Sequence, residues 1–332
     1  MRSLVDTRSS AARAVYFSLL LCAGWTACSG FAAEAYPSRP IRFVVPFPPG
    51  GGNDIVARLV ALRLGQGLGQ QVIVDNRGGA GGTIGTDMTA KSSPDGYTIL
   101  VNNISLAVNH TLFTRLPYDT LKDLAPVSFI GRQPNIVVLN PSLPVKTVRE
   151  LLTLARSEPG ALSYGSGGVG TASHLATEML KLMTNVDLVH VPYKGLAPAL
   201  TELVGGRLQV VISTMASALP YAKSGRMRPL AVTTARRSSF FPELPTMEEA
   251  GVKHYEFSTW YGLLVAAGTP NAIVDRLNTE THKELALPLV REKFMAQGLE
   301  PAVSSPHEFA AYLRKEIVKW GEVVKASGAT PE

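Results

Sequence analysis

The chain has 332 residues, of which 45% are hydrophobic and 17% charged, with a formal net charge of +6. That is ordinary globular composition, and at about 100–200 residues per domain it suggests two lobes. Lys and Arg are spread without a run, which argues against nucleic-acid binding; a mildly basic body favours anionic ligands or simply serves solubility.

The chain opens with Arg2, Arg8 and Arg13, followed by an apolar run of 14 residues, Ala14 to Ala27. A membrane-spanning helix needs about 20. With Ala33-Glu34-Ala35 as a small-x-small cleavage site, residues 1–35 read as a secretory signal cut near Ala35. Lipoprotein processing at Cys28 is the alternative, although Trp25-Thr26-Ala27 is a poor approach to a lipidated cysteine. Cys22 and Cys28 are the only cysteines, so the mature chain would carry no disulfide, thiolate nucleophile or cysteine metal site. Losing three Arg together with Asp6 and Glu34 lowers the net charge from +6 to +5.

From Ile41 onward, β-rich runs alternate with helical stripes. Strands are expected at 41–45, 72–74 and 97–101, with helices over 53–68 and 83–90. A second series follows, with strands at 135–139, 162–164, 188–191, 209–212, 228–233 and 261–265. Its helices lie over 148–156, 172–183 and 197–204. The tail from Ile273 to Lys325 reads as helical, with breaks at Pro288, 298–301 and Pro306. Such alternation predicts mainly parallel sheets with helices on their faces. The tail is expected to pack back on the first unit. Lobe 1 would then comprise 36–133 plus 259–332, and lobe 2 would be 134–258, with a cleft between them.

Three glycine-rich segments follow strands and open helices: Pro46 to Asp54 (PFPPGGGND), Asn76 to Thr83 (NRGGAGGT) and Gly165 to Thr171 (GSGGVGT). Glycine permits positive φ and close backbone approach. A helix start offers unpaired N–H groups and partial positive charge, so these turns can hold an anion without a cationic side chain. Gly165-x-Gly167-x-x-Gly170 also matches the dinucleotide fingerprint, with Asp187 beyond it. In an exported chain, where a soluble nicotinamide would be scarce, that reading is disfavoured. No cofactor is expected.

Signatures of catalysis are absent: there is no Gly-x-Ser-x-Gly elbow and no His-Glu-x-x-His. His174 and Glu178 share a helix face, but no second pair joins them as metal ligands. Asp54 reads as a helix cap or dipole partner, pairing with Arg58 at i, i+4. The competing readings are an acid/base pair of Asp54 and Asp75 and an exported hydrolase or transferase using Asp54 or His174. Trp260-Tyr261 falls at the expected lobe crossing, either as hinge packing or as a wall of the cleft.

These residues, taken together, resemble a known family. Its marks are Tyr36-Pro-Ser-Arg-Pro-Ile41, the first two glycine turns, Ser93-Pro-Asp-Gly-Tyr97 and Tyr164 to Thr171 with His174. They continue with Val191-Pro-Tyr-Lys-Gly195, Leu244-Pro-Thr246, Trp260-Tyr-Gly262 and Gly268-Thr-Pro270. In these the chain is similar to the Bug-type, TctC-like substrate-binding receptors of tripartite tricarboxylate transporters. The resemblance implies an α/β type II periplasmic binding-protein fold, two Rossmann-like lobes around an interlobe cleft, no catalysis and no metal. It implies a ligand carboxylate (of a di- or tricarboxylate, aromatic acid or amino acid) gripped by backbone groups of two turns. Carried over, the ligand-binding positions are Phe47, Pro49, Gly50, Gly51 and Asn53 of the turn at 46–54, with Gly81 of the turn at 76–83. From the turn at 165–171 and the helix after it come Ser166, Gly170, Thr171 and Ala172, with Tyr164, Ser105 and Ser213 reading the rest of the ligand. The partners implied are membrane permease subunits or, in a signalling variant, a membrane kinase. The receptor itself is expected to be a monomer. Gln209 stands where relatives often carry Asp, and Gly167 where many carry Pro; the first change points away from an amino acid.

Overall fold

Apolar strands that emerge into glycine turns, each followed by a helix, produce the same unit repeatedly. β1 (Ile41–Val45) is buried and pairs in parallel with β2 (Val72–Asn76) and β3 (Thr98–Asn103). Helices α1 (Gly52–Leu68), α2 (Thr83–Ala90) and α3 (Ser105–Leu112) follow these strands in turn. The computed structural model describes residues 36–331, and Arg39 onward forms one compact unit. The expected signal segment, its cleavage near Ala35 and both cysteines lie outside the described residues.

β4 (Leu124–Leu139) is a 16-residue strand that serves both halves of the sheet. Its first part pairs antiparallel with β9 (Ser258–Ala266), ending at Pro134 opposite Ser258. Its last five residues pair with β7 (Val210–Thr214) and, on the other side, β4 meets β8 (Arg228–Val232). β5 (Ser163–Ser166) pairs in parallel with β7 and β6 (Val189–Pro192). The full order is β2-β1-β3-β9-β4-β7-β5-β6, with β8 and the two-residue β10 (Glu300–Pro301) on β4. The expected parallel pairing thus holds within β1–β3 and β5–β7. The strands that carry the chain between the halves run antiparallel, and the sequence reading found only the last third of β4. Bulges at Pro126/Ser128 and Phe129/Gly131 add the local twist that lets one strand serve two sheets.

The second half carries α4 (Val148–Ser157), α5 (Ala172–Thr184), α6 (Leu196–Val204) and α7 (Met215–Lys223). The tail forms α8 (Asn271–Ala286), α9 (Pro288–Ala296) and α10 (Pro306–Ser327). α8 packs on α1; α10 packs on α3 and β4 and also touches α5. Trp260, Phe309, Phe257 and Trp320 are all buried, and the rings of Trp260–Phe309 and Phe257–Trp320 meet edge to face. Glu316 accepts both indole N–H groups, from Trp260 and Trp320, each at 2.8 Å. Among the described residues, no helix is long and apolar enough to cross a membrane. The architecture is a type II periplasmic binding-protein fold, two α/β lobes around a cleft.

Candidate functional site

The first turn leaves β1 at Val45 and enters α1 at Gly52. Its shape is fixed by one buried carboxylate. Asp54 Oδ2 accepts the Gly50 N–H at 3.0 Å and Arg58 Nε at 3.1 Å, while Oδ1 accepts Asn76 Nδ2 at 3.0 Å. Asn76 Nδ2 also donates to the Phe47 carbonyl. Burial pushes the Asp54 carboxyl up, but the bonds from Arg58, Gly50 and Asn76 outweigh it and hold the group below the usual carboxylate range. α1 has Gly51 as its N-cap and no side-chain cap. Its first intrahelical bond is Ile55 N–H to Gly51 O, so the amides of Gly52, Asn53 and Asp54 have no acceptor within the helix.

The second turn, between β5 and α5, uses neutral groups instead. Ser173 Oγ accepts the Gly167 N–H at 3.0 Å, Ser166 Oγ the Gly168 N–H at 3.1 Å, and His174 Nδ1 the Gly170 N–H at 3.3 Å. Thr171 Oγ1 donates to the Gly168 carbonyl. The amides of Gly167, Gly168, Gly170 and Thr171 are therefore occupied within the protein. The amides left over at the helix start belong to the first turn of α5, Ala172 to His174, because Leu175 N–H makes the first helical bond, to Thr171 O. α5 too has no side-chain cap.

These two helix starts line one cavity of about 50 Å³, room for a few waters or the head of a small carboxylate. α6 and α7 point their starts at the same place: their N-caps, Gly195 and Thr214, also line it, and neither helix has a side-chain cap. Four helices thus direct the partial positive charge of their N-termini at one point. No ionisable carboxylate, amine, guanidinium or imidazole is among the lining residues. Asn53 is 3% exposed, and both polar atoms of its amide are without a hydrogen-bond partner in the protein. Leaving such a group unpaired costs about 1–3 kcal/mol, so the cavity is built to be completed by a guest.

On another wall stand Tyr261 and Thr214. Tyr261 donates its hydroxyl proton to Gln133 Oε1 at 2.7 Å, and Thr214 Oγ1 donates to Ser217. Both oxygens therefore face the cavity as acceptors. Gly52 lets them approach: a Cβ there would lie 2.6 Å from Tyr261 Oη and 2.8 Å from Thr214 Oγ1. Phe47, Pro48, Ala172 and Leu196 supply apolar surface.

Phe47, Pro48, Gly167 and Gly195 also line an outer cleft of about 620 Å³, together with Gly78 to Gly82, Tyr193 and Lys194 among others. The lobes touch here. A Cβ on Gly170 would lie 2.5 Å from Leu112 Cδ2 and 3.1 Å from Asn109 Oδ1, so only glycine, at φ +77°, fits between them.

Of the positions expected from sequence, Phe47, Gly51, Asn53, Thr171 and Ala172 line the inner cavity. Pro49 and Gly81 line the outer cleft. Gly50 is held by Asp54, Ser105 is wholly buried beside Asn103, and Ser213 points its hydroxyl at the Thr214 carbonyl. Ser166 and Gly170 brace the turn from within. Tyr164 is in the core, its hydroxyl bonded to Glu178 at 2.6 Å. None of these six is on the cavity lining. Pro48, Gly52 and Gly167 lie within the turns expected from sequence but were not singled out there as ligand contacts; Asn103, Ser173, Gly195, Leu196 and Thr214 were not singled out either, and Tyr261 was left open between hinge and cleft. Gln209 is also remote from the cavity: its Oε1 accepts Ser163 N–H and Oγ between β5 and β7.

The candidates for chemistry are engaged elsewhere. Asp54 faces Arg58 and Asn76, and His174 faces Gly170; neither lines the cavity. Among the described residues, no group of three His, Cys, Asp or Glu could hold a metal.

A two-lobed α/β fold whose interlobe cavity is neutral and ringed by helix starts defines a solute-binding receptor. The chain matches the model of the tripartite tricarboxylate transporter family receptor, TctC, over residues 56–329, and it belongs to that family. It is similar to the protein BugT of Bordetella pertussis, 40% identical over 300 residues covering 90% of this chain and 92% of BugT. Among solved structures it resembles R. palustris Rpa4515 with adipate, at 38% identity and a TM-score of 0.87 over 90% of this chain and 100% of that one. It also resembles MatC from Rhodopseudomonas palustris with bound malate, at 30% identity and a TM-score of 0.81 over 87% and 100%.

Proposed function

We propose that this chain is a periplasmic solute receptor that captures a small carboxylate and delivers it, as a monomer, to membrane permease subunits of a tripartite transporter, catalysing nothing itself. The observation that carries this reading is the convergence of four helix starts without side-chain caps on one neutral cavity beside the unpartnered Asn53 amide. A hydrogen bond to a charged group contributes about 1.5–3 kcal/mol, and micromolar binding needs about 8 kcal/mol. A few amides from each lobe suffice. The export signal read over residues 1–35 supports the periplasm. Family membership, with relatives solved holding adipate and malate, supports the ligand class.

The carboxylate would sit at the starts of α1 and α5, with the Asn53 amide beside it. The ligand's next group would meet Tyr261 and Thr214, whose oxygens accept. A hydroxyl there is favoured over a methylene, while an ammonium would find no acidic side chain. Calorimetric titration of the mature protein with malate, succinate, adipate and aspartate tests this. Malate should bind about tenfold more tightly than succinate, from one added hydrogen bond, and aspartate weakest. Heat with none of them, nor with longer mono- or tricarboxylates, would refute the assignment.

A further inference from the structure

Behind the second turn, on the side away from the cavity, lies a pair of histidines that the capture of a carboxylate does not itself require. We propose that the neutral imidazoles of His174 and His190 are positioning residues: together they pin the Gly165–Thr171 turn in its ligand-ready shape, and protonating the pair releases it. The inference rests on the receptor reading and adds a control to the same site.

His174, on α5, accepts the Gly170 N–H through Nδ1. Only an unprotonated Nδ1 can do so. His190, on β6, places Nε2 2.6 Å from Ser166 Oγ, the atom that accepts the Gly168 N–H and donates to the Gly168 carbonyl at 3.2 Å. The two rings are 4.5 Å apart, so one imidazolium opposes a second. Tyr164 of β5 stacks on His190 at 4.8 Å. The ionisable groups facing the pair are Tyr164, Glu178 and Lys181. Of these, Glu178 is bonded to the Tyr164 hydroxyl and to Lys181 at 3.0 Å, and its charge is shared before it reaches an imidazole. Burial, with the neighbouring ring, depresses His190 to about 4, and burial also lowers His174. Both are neutral at neutral pH. Gly170 is the turn's point of contact with Leu112 and Asn109 of the facing lobe, and Ala172 and Ser173 follow it directly into the cavity. Releasing Gly170 therefore disturbs both the amides offered to the ligand and the lobe contact beside them.

The test uses the mature chain, with His174→Leu removing the acceptor and His174→Asn replacing Nδ1 by an amide oxygen. Malate and adipate are titrated between pH 8 and pH 4, and hydrogen exchange at Gly170 is followed without ligand. His174→Leu should bind about tenfold more weakly at neutral pH, the loss of one buried hydrogen bond. His174→Asn should bind close to wild type there and lose less affinity than wild type on acidification; the probe's own protonation cancels in that comparison. Protection of the Gly170 amide, its exchange rate relative to that of an unprotected amide at the same pH, should fall in His174→Leu and, on acidification, in wild type, but not in His174→Asn. Superimposable pH profiles for wild type and His174→Asn, with unchanged protection at Gly170, would overturn the inference while leaving the receptor reading in place. Failure of wild type to bind any carboxylate would sink that reading instead, and the exchange data would still decide whether the clamp exists.

Discussion

The turn from β1 into α1 is braced by ions: Asp54 gathers Arg58, Asn76 and the Gly50 amide, all behind the cavity wall. The turn from β5 into α5 is braced by two serines, a threonine and two imidazoles, without one formal charge in contact with its backbone. Both solve the same problem. A glycine turn that offers helix amides to a guest must have its remaining amides satisfied from inside the lobe, or it would collapse onto its own donors. The difference is in what disturbs them. A carboxylate held below its usual range keeps its charge until strongly acid conditions, whereas imidazoles change charge within a few units of neutrality. α4 and α10, which start away from the cavity, carry side-chain caps, Thr147 and the Ser305–Glu308 capping box, whereas α2, α3, α8 and α9 start away from it without one.

The contrast can be broken most sharply at Asn53. Asn53→Asp places a negative charge against the expected carboxylate, and like-charge juxtaposition costs several kcal/mol, so affinity should fall about 100-fold or more. Calorimetry showing binding within about threefold of wild type would mean the guest does not meet Asn53. Next comes Asp54→Ala, which strands the Gly50 amide and Asn76. A loss of about 2 kcal/mol in urea unfolding is expected, with weaker binding and no change in the pH dependence contributed by the second turn. A smaller effect is expected of Tyr261→Phe, which removes one acceptor: malate affinity should drop by about 1 kcal/mol while adipate affinity holds. A parallel loss for both ligands would place the hydroxyl elsewhere. The gentlest test is acid titration of the unliganded protein. His190 binds its proton more readily unfolded, near 6.5, than folded, near 4. Stability should therefore fall as pH drops through that window and level off below it. Melting temperature against pH should show this slope, and His190→Gln should flatten it.

Much of this was legible because glycine turns after apolar strands leave few options for the backbone. β1, α1, α2, α4 and α5 fall within a residue or so of their expected bounds. The first part of β4 was hidden because Pro126, Gly131 and Pro134 interrupt its apolar run. The bulges that accommodate them depend on β9, more than 120 residues away. α7 was hidden by Pro220, which sits inside it. In the site, Thr214 was missed by one residue, since β7 continues past its apolar segment, and Asn103 was missed because β3 ends in two asparagines. Tyr164 reads as a ligand contact beside the glycine turn, but its hydroxyl belongs to Glu178, a pairing that alternation and turn chemistry do not encode. The two helix starts could be read; which amides of each turn stay available depends on Ser173, Ser166 and His174 folding back, and that requires the three-dimensional arrangement.

The central claim, that a carboxylate is held by helix-start amides of both lobes, is tested most directly by amide NMR of the ¹⁵N-labelled mature protein during titration with malate. The account predicts that the largest downfield shifts fall together on Gly52, Asn53, Ala172 and Ser173. Shifts confined to Lys194 and the outer cleft, with those four amides unmoved, would contradict it.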